Sequence, residues 1–179
     1  MPKRTRIKIC GITRSCDAIA AVEAGVDALG FVFVQDSSRY LPVASAAQIA
    51  NALPPFVSRV GLFLNHSRTE VQQVLDAIPD CMPQFHGNES AEFCDSFERP
   101  YIKAVSVTDG IPDAETLTTY TKAVAFLFDS HALGKLGGTG KTFDWDLLSG
   151  LSNIRVILAG GLNESNVQKA IRQVRPYAV

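Results

Sequence analysis

The sequence predicts an α/β protein of alternating strands and helices: a (β/α)8 TIM barrel whose C-terminal unit is incomplete in this chain. Three observations carry that expectation. The apolar runs are nearly continuous rather than alternating, as in strands of a parallel sheet buried on both faces. The segments between them repeat apolar residues at helical spacing. Seven such strand–helix pairs follow one another at about 25 residues each, and near-equal units favour a barrel over an open doubly wound sheet.

The first strand is RIKIC (6–10), ending at Gly11. A helix over 15–25 places Ala18, Ile19 and Val22 together and stops at Gly25. Strand 2 is VDALGFVFV (26–34), followed by the loop QDSSRYLP and an Ala-rich helix near 44–53. Strand 3 is VSRVGLFLN (57–65). Ser67 and Glu70 then have the spacing of a capping box, which opens a helix carrying Val71, Val74, Leu75 and Ile78 on one face. MPQFH (82–86), YIKAVSV (101–107) and AVAFLFD (123–129) are strands 4 to 6, with short helices near 90–98 and 113–121. A Gly-rich loop at 134–142 and a helix near 144–150 lead to strand 7, NIRVILAGG (153–161). Asn163 is expected to cap a helix with Val167, Ala170, Ile171 and Val174, and PYAV (176–179) begins strand 8.

No composition shift divides residues 1–179, so a single domain is expected. The net charge of −1 argues against nucleic acid or an anionic membrane as partner. No apolar run reaches the roughly 18 residues of a spanning helix, and the basic start lacks a signal peptide's apolar region, so a cytoplasmic monomer is expected. Cys10, Cys16, Cys81 and Cys94 form no CxxC pair, and His66, His86 and His131 are scattered, so neither a zinc site nor a disulfide is expected.

The residues of chemical interest stand where strands finish: Cys10, Arg39 soon after strand 2, Asn65, His86, Ser106, Asp129 and Gly160–Gly161. In a barrel these ends share one face, the face that carries active sites. Taken singly, each has a plain structural reading. Cys10 could be a buried thiol, Asp129 a helix cap, Arg39 a solvated loop residue, His86 a hydrogen-bonded core histidine and Gly160–Gly161 a tight turn.

KICGIT (8–13), GFVF (30–33), Ser38-Arg39-Tyr40, VGLFLN (60–65), QFHG (84–87), LFDS (127–130), GGTGKTFDW (137–145) and LAGGLN (158–163) together resemble the phosphoribosylanthranilate isomerase family. The resemblance implies an Amadori rearrangement in tryptophan biosynthesis, converting the aminoaldose N-(5′-phosphoribosyl)anthranilate to an aminoketose, with no cofactor and no metal. It implies Cys10 as the base that removes the C2′ proton and Asp129 as the acid that protonates the ring oxygen. The base requires a thiolate, and the acid must hold its proton near neutral pH. Arg39 resembles the partner of the anthranilate carboxylate, for which a guanidinium fork is suited. His86 resembles the family's QLHG histidine, with Phe85 where Leu is usual, and would orient or line the site. Gly160, Gly161 and Asn163 would cradle the phosphate at a helix start, and Gly138, Thr139 and Gly140 would fold over the substrate.

Three other readings were weighed. GTGKT (138–142) ends like a P-loop, but Lys135 stands where that motif needs its first glycine. A histidine-pathway aldose–ketose isomerase is disfavoured, because that family has a carboxylate where Cys10 stands. A silent fragment is the third: the family continues into a DVSSGVE-like segment and an eighth helix. A chain stopping at Val179 is therefore expected to expose apolar surface on strands 1 and 7, to be poorly stable and to be nearly inactive.

Overall fold

The structure is a computed structural model that describes residues 4–108, 110–130, 142–151 and 153–179. Seven strands form one parallel sheet in sequence order: β1 (Lys8–Cys10), β2 (Ala28–Val32), β3 (Ser58–Phe63), β4 (Cys81–Phe85), β5 (Tyr101–Ser106), β6 (Ala123–Asp129) and β7 (Val156–Leu158). Between them lie α1 (Ser15–Glu23), α2 (Val43–Asn51), α3 (Arg68–Ala77), α4 (Ala91–Asp95), α5 (Ala114–Thr118) and a 3-10 turn (Trp145–Leu148), with α6 (Val167–Val174) after β7. Cys10 pairs with Gly30, Val32 with Leu62, Phe63 with Phe85 and Ser106 with Asp129, so the strands end close to level.

Residues 177–179 touch both edges of the sheet. The Tyr177 N–H donates to Val156 O and the Leu158 N–H to Ala178 O, while the Arg6 N–H donates to Tyr177 O and the Lys8 N–H to Val179 O. β7 is accordingly buried, with Val156, Ile157 and Leu158 at 8, 5 and 0% exposure, which corrects the expectation for strand 7. At the other edge, Ile7 just before β1 and Ile9 within it are 38 and 43% exposed.

Helix starts follow local side-chain chemistry. Ser67 and Glu70 form the reciprocal box expected at α3. Gly25 adopts a left-handed φ of +87° just after α1, where a Cβ would be strained. α4 and α5 are only five residues each, shorter than their apolar spacing suggested, because Ser90 and Asp113 cap them and Ser96 and Thr119 end them. The last helix follows expectation in part. Its regular part begins at Val167, where Asn166 makes no side-chain capping bond, while Asn163 caps the turn that leads into it: its Oδ1 accepts the Ser165 N–H at 2.9 Å and its carbonyl the Val167 N–H at 2.9 Å.

Outside the sheet, Phe33, Phe63, Phe85, Phe93, Phe97 and Tyr101 form a chain of ring contacts at centroid distances of 5.3–6.0 Å beneath α3 and α4. Asp95 anchors one end of it. Its carboxylate accepts the Tyr101 hydroxyl at 2.6 Å, the Thr121 hydroxyl at 2.6 Å and the Thr121 and Lys122 N–H groups at 3.2 Å. Burial raises the Asp95 carboxyl, but these bonds outweigh it and hold the group below the ordinary carboxylate range. That stabilisation is present above the ordinary carboxylate value and is lost as pH falls through the depressed one. Asp95→Ala strands the buried Tyr101 hydroxyl and is expected to cost about 2–3 kcal/mol. Thermal melts should show the loss largest at neutral pH and smaller in acid; an unchanged Tm at pH 7 would contradict this account.

Candidate active site

A cavity of about 570 Å³ opens at the C-terminal ends of the strands. Its walls bring together Cys10 from β1, Ser37 and Arg39 from the loop after β2, Gln84 and His86 from β4, Asp129 from β6, and Gly160, Gly161 and Asn163 after β7. Asn65 and Ser106 do not line it. The Asn65 N–H donates to Glu89 and its carboxamide oxygen accepts from the Asn88 N–H, whereas Ser106 bonds Thr108. Gly138, Thr139 and Gly140, with Lys135, Lys141 and His131, lie outside the described residues.

Each wall residue is placed by backbone geometry. Arg39 folds back over Gly11, where a Cβ would lie 2.4 Å from Arg39 Cδ, and Gly11 has φ +89°. One guanidinium N–H donates to Cys10 O at 3.2 Å, so the loop after β2 is tied to the end of β1. Cys10 is half-buried, and Gly30 beside it leaves room for the thiol: a Cβ there would sit 2.8 Å from Cys10 Sγ. By contrast, burial pushes the Cys81 and Cys94 thiols up to about 12, which leaves them protonated and inert.

Asp129 is 8% exposed at the end of β6. Gly160, in left-handed conformation, packs so closely that a Cβ would meet Asp129 Oδ1 at 2.9 Å and Ser130 N at 2.6 Å. His86 Nε2 stands 3.8 Å from Asp129 Oδ2. Burial holds the imidazole below its ordinary value, overriding the pull of Asp129, and Lys103 and Lys8 act in the same direction as burial. The pair is therefore a neutral imidazole beside a carboxyl rather than an ion pair. Gln84 Nε2 lies 3.3 Å from His86 Nδ1 and helps fix the ring.

Gly160 and Gly161 both take positive φ, at +81° and +65°. Among the described residues, the Gly161 and Leu162 N–H groups meet no acceptor, so this turn presents donors to the cavity. The turn at Asn163 that leads into α6 follows directly, with the Val167 N–H donating to Asn163 O at 2.9 Å. Asn163 lines the cavity, but its carboxamide oxygen serves Ser165.

Sequence reasoning did not single out Lys8, Gln84, Lys103 or Glu89. Lys103 is 4% exposed and donates to Gly87 O at 2.6 Å and Glu89 Oε2 at 3.1 Å, and Glu89 also accepts from the Asn65 and Gly87 N–H groups. A lysine inside the apolar run YIKAVSV was the available signal, since a buried charge demands a partner.

Residues 7–179 match the family model for N-(5′-phosphoribosyl)anthranilate (PRA) isomerase. A curated relative, the N-(5′-phosphoribosyl)anthranilate isomerase of Pseudomonas syringae pv. tomato, is 53% identical over 174 residues, covering 97% of this chain and 84% of its own length. Among solved structures, the Thermotoga maritima phosphoribosyl anthranilate isomerase superposes with a TM-score of 0.85 at 39% identity, covering 98% of this chain and 86% of that one. Another, a phosphoribosyl anthranilate isomerase in complex with reduced 1-(o-carboxyphenylamino)-1-deoxyribulose 5-phosphate, superposes with a TM-score of 0.80 at 36% identity over 98% of this chain and 86% of that one.

Proposed function

The chain belongs to the N-(5′-phosphoribosyl)anthranilate isomerase family, and from that premise we propose how its own residues carry out the isomerisation of N-(5′-phosphoribosyl)anthranilate in tryptophan biosynthesis. The observation that carries the reading is the convergence of Cys10, Arg39, His86, Asp129 and the Gly160–Gly161 turn, from separate strand ends, on one cavity.

The substrate lies with its phosphate on the Gly161 and Leu162 N–H groups and its anthranilate carboxylate on Arg39. Asp129 gives a proton to the furanose ring oxygen, the C1′–O bond breaks, and the nitrogen lone pair forms a protonated Schiff base. Cys10 as thiolate then takes the C2′ proton. The electrons of that C–H bond form the C1′–C2′ double bond of an enolamine and neutralise the nitrogen. The enolamine becomes the ketone when its hydroxyl proton is lost and C1′ is protonated, so the step is a net isomerisation. His86 lines the site beside the Asp129 carboxyl, its ring set by Gln84. The architecture is read as a (β/α)8 barrel of one domain, supported by seven parallel strands in sequence order, and the working unit as a monomer.

The direct test is turnover of phosphoribosylanthranilate, made in situ because it is unstable, followed by loss of anthranilate fluorescence. No turnover in a folded sample would refute the reading. Arg39→Ala is expected mainly to raise KM, about tenfold or more, because its contact with the carboxylate exists in ground and transition states alike. A fall in kcat with KM unchanged would show that Arg39 serves another step.

A further inference from the structure

Lys8 is a charged residue that the mechanism above leaves unused. It precedes Cys10 by two positions on β1, so both side chains leave the same side of the strand. Across from them, the point where a Gly30 Cβ would stand is 2.8 Å from Cys10 Sγ and 3.2 Å from Lys8 Nζ. The absent side chain of Gly30 is what lets thiol and ammonium reach the same spot. Lys8 also lines both the active-site cavity and a smaller one of about 230 Å³ at the opposite ends of the strands, so it stands inside the curled sheet. Among the described residues its ammonium makes no hydrogen bond and no ion pair.

The other charged or titratable groups near the thiol are engaged elsewhere. Arg39 is held by Cys10 O and faces the entrance, Lys103 is neutralised by Glu89, and His86 is neutral beside Asp129. A sulfur anion here sits in a partly enclosed cavity that must also admit a phosphate and a carboxylate. Without a nearby cation it would be repelled by its own substrate.

Resting on the assignment of Cys10 as base, we propose that Lys8 is a positioning residue of the isomerisation, the ammonium that the Cys10 thiolate faces until it takes the C2′ proton. It gives up no proton itself. When the C–H bond breaks and the S–H bond forms, the sulfur loses its charge and the ammonium is left facing a neutral thiol. Lys8 acts through Cys10 and touches no reacting atom.

The experiment compares wild type with Lys8→Met, Lys8→Gln and Lys8→Arg, each checked for folding by thermal melt. Two quantities are read: the rate of alkylation of Cys10 by iodoacetamide, followed by peptide mass spectrometry, and kcat with KM. Exposed Cys16 in the same sample is the internal reference. Removing the charge is expected to slow alkylation of Cys10 about tenfold or more, to leave Cys16 unchanged, and to lower kcat by a similar factor with KM within about threefold. Lys8→Arg should recover part of both. A merely structural role would not move the Cys10-to-Cys16 ratio. Alkylation of Cys10 within twofold of wild type in a folded Lys8→Met or Lys8→Gln protein overturns the proposal. Turnover surviving in Cys10→Ala would instead sink the base assignment, and the alkylation ratio would still decide the pairing of ammonium and thiolate.

Discussion

Cys10→Ala is expected to leave a folded protein that keeps nearly native affinity for a reduced ribulose phosphate analogue but turns over about 10²–10⁴ times more slowly. The site explains why both halves of this result are expected. In the proposed mechanism binding rests on Arg39 and on the Gly160–Gly161 turn, neither of which uses the sulfur. Arg39 is fastened to the carbonyl of residue 10, and alanine keeps that carbonyl. The half-buried thiol leaves only a small void. What the variant would lack is the proposed acceptor for the C2′ proton, and His86 is poorly placed to replace it, with the Asp129 carboxyl on one side and Gln84 on the other. Kinetics and analogue titration measure the two halves separately. A variant with kcat near wild type would remove Cys10 from the mechanism.

Asp129→Asn carries the second large effect, a loss in kcat of about a thousandfold. Asparagine matches aspartate in shape, so the close contact with Gly160 and the strand ending beside Ser106 should survive and the melting temperature should barely move. The amide cannot give a proton to the ring oxygen, and the reaction stalls with the furanose closed. The same measurement identifies the acid. If more than about a tenth of wild-type turnover remains, another group, with His86 the nearest, opens the ring.

The sequence made the strand order legible because each strand is a continuous apolar run. On β3, Val60 and Phe63 face opposite sides of the sheet, and both are buried. The capping box at Ser67 and the stop at Gly25 were equally readable, because each is complete within a few residues. Cys10, Arg39, His86 and Asp129 could be assigned to one face from their places at strand ends, and the structure brings them to one cavity. The turn between Asn163 and α6 was not readable, because its bonds run between the two asparagines: the Asn163 N–H donates to Asn166 Oδ1 while Asn163 Oδ1 accepts the Ser165 N–H. Nor was Lys8, which reads as one more basic residue in an already basic start. Its meaning depends on Gly30, twenty-two positions away and beside it only once β1 pairs with β2.

The buried bond between Lys103 and Glu89 has a thermodynamic consequence for ligand capture. Through the backbone of Asn65 and Gly87 it joins the ends of β3, β4 and β5 into one unit beneath the cavity. Loops at strand ends are ordinarily where a protein spends binding energy on ordering itself. Here the wall that carries His86 is already ordered by an internal charge, so ligand binding has little conformational entropy left to lose on that side. At the opposite wall the hydrogen bond to Cys10 O already holds the Arg39 guanidinium, so on both sides the proposed site meets its ligand largely pre-formed.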